Sequence, residues 1–275
     1  MFGAWAYESR AAYWSRFFPW ELAWKLCGAP SGAEGLAHRY TSFGDDGGGG
    51  MVRHATYETA ETWKRALATD RTLSVHGLPP AKDFIVFDYD MRDDGQAPPV
   101  CVRHGAHGAR DLCAECWKAR AVPAIAYIDR YVRQPLGLPA TSLLPVFSGG
   151  NGVHVWMNLR RHMPPEQRAA LAGTAAGRAL LMDEWLGAAH AQQLRLLYGS
   201  DGTGGPTLKF DRGITVDAAR HLIKLPFSLH DRTRLAAVPL LALDETPPHL
   251  ARPKATIEEV LADHQRRVAA LAAFF

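Results

Sequence analysis

Asp88 and Asp90 close the run FIVFDYD. On a β-strand, residues two apart project from one face, so both carboxylates point the same way, along with Phe84 and Val86. Like charges that close are costly unless a cation is shared. Oxygen donors of this kind suit Mg²⁺ or Mn²⁺, which keep several waters when bound. A bare D-x-D also describes the acidic end of a solvated edge strand, but Phe84 and Val86 on the same face favour partial burial.

A second donor set is softer. Cys101, His104, Cys113 and Cys116 follow the spacing C-x2-H-x8-C-x2-C. Thiolate and imidazole in paired short spacings suit tetrahedral zinc. Protein fills all four positions, so the predicted zinc is structural. His107 competes with His104 for the fourth place, and the alternative to zinc is a set of free thiols near a surface histidine. Three of the four cysteines lie in this one window, which is unlike a disulfide framework and points to an intracellular chain.

SGGNGVHVW sets Ser148, Gly149, Asn151 and His154 around a turn between two apolar runs. Glycines let the backbone approach a bound group and offer N–H donors to phosphate oxygens. His154 begins the next strand on the face of Trp156 and Asn158. The competing reading is a plain hairpin with a satisfied core histidine. Further on, FDRGITVDAARHLIKLPFSLH carries Asp211, Asp217, Lys224 and His230. A carboxylate, a lysine and a histidine within one stretch fit a triphosphate–metal site. Taken singly, Asp217 also reads as a helix cap, Lys224 as a solvated strand residue, and Arg53 in MVRHATY as a surface cation.

These residues need elements to position them. FIVFDYD, Leu143 to Phe147, Val153 to Leu159 and HLIKL read as strands, as do HRYTSF and MVRHATY, joined by the Gly-rich GDDGGGG. Helices are predicted in YESRAAYWSRFFPWELAWKLCG, broken at Pro19; from Glu58 to Ala68; in AVPAIAYIDRYVRQPLG, ending near Pro135 and Gly137; and from Pro164 to Tyr198, interrupted by glycines. The C-terminal IEEVLADHQRRVAALAAFF spaces Val260, Leu261, Val268 and Leu271 as an amphipathic helix. The predicted fold class is mixed α/β (α+β).

The 275 residues carry a formal net charge of +3, with 47% hydrophobic and 21% charged residues. Such a chain buries a sizeable core without disulfides. It has no apolar run of the roughly 18 residues that cross a bilayer, and its first residues lack the order of a signal peptide. Small disulfide scaffolds, secreted proteins and membrane-spanning proteins are thereby excluded. A general electrostatic DNA coat is disfavoured by so small an excess charge, whereas an enzyme handling polyanions in one groove is compatible with it.

Taken in order, these segments resemble the catalytic small subunit of the archaeo-eukaryotic DNA primases. FDYDMRDDG is similar to that family's metal-binding strand. The cysteine window ending CAECW, with a helix containing IDR behind it, resembles its zinc knuckle. FSGGNGVHVW and HLIKLPFSLH resemble its next two motifs, and YWSRFFPW with HRYTSF its opening. The resemblance implies a single catalytic domain over 1–275, of mixed β-sheets flanked by helices. It carries a zinc knuckle at about 100–117 and a reduced helical subdomain at about 164–198.

The function implied is two-metal synthesis of short primers on single-stranded DNA. Asp88, Asp90 and Asp211 would hold Mg²⁺ or Mn²⁺, with Asp217 a rival for the third place. Arg53, Ser148, Gly149, Asn151, His154, Lys224 and His230 would meet the nucleoside triphosphate. A primase large subunit or another replication protein is the implied partner. The location would be a nucleus, a viral replication site or an archaeal cytoplasm. Departures from the family are Gly150 and Asn151 where basic residues are common, and Tyr40 where eukaryotic members carry an acid. The alternatives are a primase-polymerase or end-joining polymerase using deoxynucleotides, and a non-catalytic, zinc-bearing nucleic-acid-binding subunit.

Overall fold

The computed structural model describes residues 9–27, 39–43, 50–55, 58–78, 80–90, 114–150, 152–181, 210–216, 222–230, 233–251 and 256–275. Two helices open it, α1 (Arg10–Arg16) and α2 (Trp20–Leu26). The Ser9 side chain caps α1 by accepting from the Ala12 N–H. Pro19 separates the helices as its sequence position predicts. Their aromatic faces bury Tyr13, Trp14, Trp20 and Trp24. Trp63 of α3 (Ala60–Leu67) packs edge-on against Trp20.

Four strands form one antiparallel sheet in the order β2-β1-β3-β7: β1 (Arg39–Phe43), β2 (Gly50–Ala55), β3 (His76–Gly77) and β7 (Ile223–Lys224). Three more form the second sheet, in the order β4-β6-β5: β4 (Phe84–Asp90), β5 (Leu143–Phe147) and β6 (Gly152–Asn158). In this sheet Asp88 stands opposite His154, Val86 opposite Trp156 and Leu144 opposite Trp156 on the other side. The predicted alternation of β4 therefore holds. Phe84, Val86, Asp88 and Asp90 share a face, and only its acidic end is partly open.

The helix after the cysteine window starts earlier than predicted. α4 (Ala114–Ile128) contains Cys116 and runs through Pro123. A proline inside a helix costs about 3 kcal/mol. Here one stripe of the helix, with Trp117, Ala121, Ala124, Ile125 and Ile128, is fully buried. The Trp117 indole also donates to the Glu245 carbonyl at 2.9 Å. That burial offsets the proline. The last turn widens to a π-turn, Asp129–Arg133, closed by the Arg133–Asp129 ion pair. The chain then leaves at Gly137, with φ +66°.

In the predicted helical stretch, α5 (Pro165–Ala172) and α6 (Ala175–Leu180) are separated at Gly173, and residues 182–200 lie outside the described ones. Short helices α7 (Arg212–Val216) and α8 (Pro248–Ala251) precede α9 (Ile257–Phe274). The amphipathic helix predicted at the C-terminus is present as α9, and its inner face carries charge as well. Val260 and Leu271 are buried, but so are Asp263, His264 and Arg267. Arg267 is satisfied by Asp263, Glu245 and the Pro239 carbonyl, so its charge is not stranded. No helix among the described residues is long and apolar enough to cross a membrane.

Candidate active site

The two sheets meet at a cavity of about 220 Å³. Asp88 and Asp90 reach it from the end of β4, His154 from β6, and Ser148 from the loop between β5 and β6. Lys224 of β7 and His230 beyond it close the other side, together with His76 of β3 and the apolar Ile214, Leu222 and Ile223. Six residues singled out from the sequence thus line one space.

Local structure explains each orientation. Ile223 and Leu225 are buried, so alternation turns Lys224 to the cavity, where its ammonium lies 3.3 Å from the Ser148 carbonyl. His76 and Lys224 are directly paired neighbours, and on the far side of β3 Tyr40 is in register with His76. The pairing of β1 with β2 jumps from Arg39↔Ala55 to Thr41↔Val52, leaving Arg53 and His54 opposite Tyr40. Arg53 therefore occupies the same cross-sheet row at backbone level. Beyond β7, Phe227 turns the chain with φ +67°, an outlier for a bulky residue. The Tyr13 hydroxyl donates to its carbonyl at 2.6 Å, and its ring meets His264 edge-on. This strained corner sets the short path from Lys224 to His230.

The electrostatics are unusual for so polar a cavity. His154 Nε2 lies 3.5 Å from Asp88 Oδ1. Burial, with the Lys224 charge next in size, pushes the His154 pKa down to about 3, so the ring is neutral near pH 7. His76 is likewise held well below the usual imidazole range, by burial and then by Lys224, His154 and His230. The cavity therefore presents two carboxylates, one ammonium and, at His76 and His154, neutral imidazoles. Neutral imidazoles donate hydrogen bonds without adding charge that would have to be buried.

Ser148 is more committed than the sequence suggested. Its Oγ accepts from the Gly150 N–H at 3.3 Å and the Gly152 N–H at 3.1 Å. Those two amides serve the loop itself and do not point outward as free donors. With both lone pairs occupied, the hydroxyl hydrogen is left to donate into the cavity. Gly149, at φ +80°, is required: a β-carbon there would stand 2.6 Å from the Leu235 oxygen and 2.9 Å from His230 Cβ.

Asp211 is brought beside Asp88 by the backbone, its N–H donating to the Asp88 carbonyl at 2.8 Å. Its exposed carboxylate accepts from the Gly213 and Ile214 N–H groups, capping α7, and is not among the groups lining the cavity. Cys116 is buried near the start of α4. Cys101, His104, His107, Cys113, Asn151, Asp217 and the side chain of Arg53 lie outside the described residues. Sequence reading missed His76, because a two-residue strand shows no periodicity to betray its inward face.

Among the described residues no group of three or more His, Cys, Asp or Glu side chains is arranged to hold a metal by itself. The hard oxygen donors of Asp88 and Asp90 still fit Mg²⁺ or Mn²⁺, which commonly bind one or two carboxylates and take the remaining ligands from water and substrate phosphates.

No family model matches the chain, and no curated protein matches it. Among solved structures it is similar to the polymerase domain of Ligase D from Mycobacterium tuberculosis in complex with DNA. That likeness has 16% identity and a TM-score of 0.45, over 94% of this chain and 88% of that one. At that level it says nothing about chemistry, and the functional reading rests on the cavity.

Proposed function

We propose that the chain is a template-directed nucleotidyltransferase that makes short primers on single-stranded DNA. The observation that supports this is the convergence of Asp88, Asp90, Ser148, His154, Lys224 and His230 on one cavity from three separate stretches of the chain. A carboxylate pair facing a lysine and hydroxyl and imidazole donors matches the needs of a nucleoside triphosphate, whose negative charge requires both cations and hydrogen-bond donors.

Each side chain has a distinct task. Lys224, His230 and Ser148 hold the triphosphate and orient its α-phosphate toward the carboxylates. His154 stays neutral, keeps Asp88 oriented and presents a donor without repelling a cation. Asp88 and Asp90 would hold Mg²⁺ or Mn²⁺, which when bound supplies stabilisation of the attacking 3′-hydroxyl and of the pyrophosphate leaving group. Asp211 joins them as third carboxylate in this reading. Arg53, Gly149 and Asn151 belong to the phosphate-binding set. Zinc held by Cys101, His104, Cys113 and Cys116 is structural. A single-stranded template lies along a groove by backbone contacts. With a net charge of only +3, a larger partner subunit supplies much of the template grip.

The test is synthesis on unprimed homopolymer single-stranded DNA, run with ribonucleotides and with deoxynucleotides, each with Mg²⁺ or Mn²⁺. Ribonucleotide products from unprimed template support primase. Products only from deoxynucleotides or only with a primer assign the same site to a primase-polymerase or end-joining polymerase. No incorporation under any condition removes the enzymatic reading.

A further inference from the structure

Thr233 lies outside every motif noted in the sequence, yet it joins two parts of the cavity wall. Its backbone N–H donates to His230 Nδ1 at 3.3 Å. Its hydroxyl donates to the Gly149 carbonyl and accepts from the Leu235 N–H at 3.2 Å. The His230 N–H in turn donates to the Leu235 carbonyl at 2.8 Å, and the Arg234 N–H to the His230 carbonyl at 2.8 Å. The turn is tight enough to put Arg234 at φ +58°.

A neutral imidazole that accepts at one nitrogen donates from the other. With Nδ1 accepting, Nε2 carries the hydrogen. That atom lies over Gly150, 2.7 Å from where a β-carbon would stand. We infer that Thr233 is a positioning residue for triphosphate binding: its hydroxyl locks the Ser148–Gly152 loop to the His230 turn, in which the backbone N–H of residue 233 holds the His230 tautomer. This rests on the triphosphate reading of the cavity and deepens it: the histidine and the loop act as one preformed clamp. Without the hydroxyl tie, the loop carrying Ser148 and the turn carrying His230 move independently, and ordering them is left to the ligand.

The test uses the full chain with T233V, which keeps the side-chain shape and loses the hydroxyl, and T233S, which keeps the hydroxyl. Binding of ATP with Mg²⁺ and of inorganic tripolyphosphate with Mg²⁺ is measured directly, beside KM, kcat and the melting temperature of the ligand-free protein. T233V is expected to weaken both probes and raise KM by about tenfold, with kcat within about threefold, and T233S to stay within about twofold of wild type. Unchanged binding in T233V, a T233S as impaired as T233V, or a loss confined to kcat overturns the inference. So does a T233V that loses ATP binding but keeps tripolyphosphate, since the effect then belongs to base or sugar. A wild-type chain that binds neither probe removes the nucleotide reading along with it. A wild type that binds both, matched by T233V, removes the role of Thr233 alone.

Discussion

Asp88 and His154 are directly opposed across β4 and β6, with Nε2 of the ring 3.5 Å from Oδ1 of the carboxylate. The pair is not a salt bridge in effect, because burial and Lys224 keep the imidazole neutral. A charged histidine here would neutralise the carboxylate that the proposed function assigns to a cation. The antiparallel register fixes this pairing, and a one-residue slip of either strand would turn its member of the pair to the other face.

The two carboxylates and the lysine should fail differently. Asp90→Ala is expected to lower kcat by at least about 10²-fold even at saturating nucleotide, because the interaction it removes matters in the transition state. Lys224→Ala removes a charge-assisted contact formed on binding, so nucleotide KM should rise about 10- to 100-fold with a smaller fall in kcat. Steady-state kinetics separate the two. A Lys224→Ala protein with unchanged KM and lost turnover would move the lysine to the leaving group.

Gly149→Ala forces a side chain into a left-handed backbone and against Leu235 and His230. A destabilisation of about 1–3 kcal/mol is expected, with a raised nucleotide KM because His230 is displaced. Denaturant melts and kinetics on the same preparation check both. Wild-type values for each would mean that the loop adjusts freely.

The buried network on α9 predicts the acid response. Burial alone would raise the Asp263 pKa, but hydrogen bonds from Arg267 and Arg266 and their charges outweigh it, and the carboxyl sits below its ordinary 3.8. A depressed carboxyl contributes fully above its unfolded value and loses that contribution as pH falls through the folded one. The melting temperature should therefore drop below about pH 3.8, and the drop should be shallower in Asp263→Asn. Arg267→Ala, which takes the cation from Glu245 and leaves Asp263 with Arg266 alone, should cost about 3 kcal/mol at neutral pH.

Metal analysis is expected to find one zinc per chain, lost with stability in Cys116→Ala. Chelation mild enough to spare it should still stop synthesis, and Mg²⁺ or Mn²⁺ should restore it. A zinc-free, fully stable wild type would refute the four-ligand assignment.

Long-range pairing explains what could be read in advance. β4 carries its own alternation, so the shared face of Asp88 and Asp90 was legible, and so was the turn before His154. Position along the chain could not show that β3 and β7 would meet, since each has only two residues and their pairing joins His76 to Lys224, 148 positions further on. His76 was invisible for that reason. The charged stripe of α9 was also hidden, because its partner Glu245 lies in an irregular segment with no periodicity. Thr233 acts through a carbonyl and a ring nitrogen, and neither bond leaves a trace in residue spacing.

The most direct measurement is incorporation of labelled ATP on unprimed poly(dT) with Mn²⁺, comparing wild type with the Asp88→Asn protein at matched folding. Metal- and template-dependent oligonucleotides from the wild type, absent from the variant, are the predicted result. Equal product from both proteins would contradict the assignment of this cavity to nucleotidyl transfer, and none from a folded wild type would contradict primer synthesis from ribonucleotides.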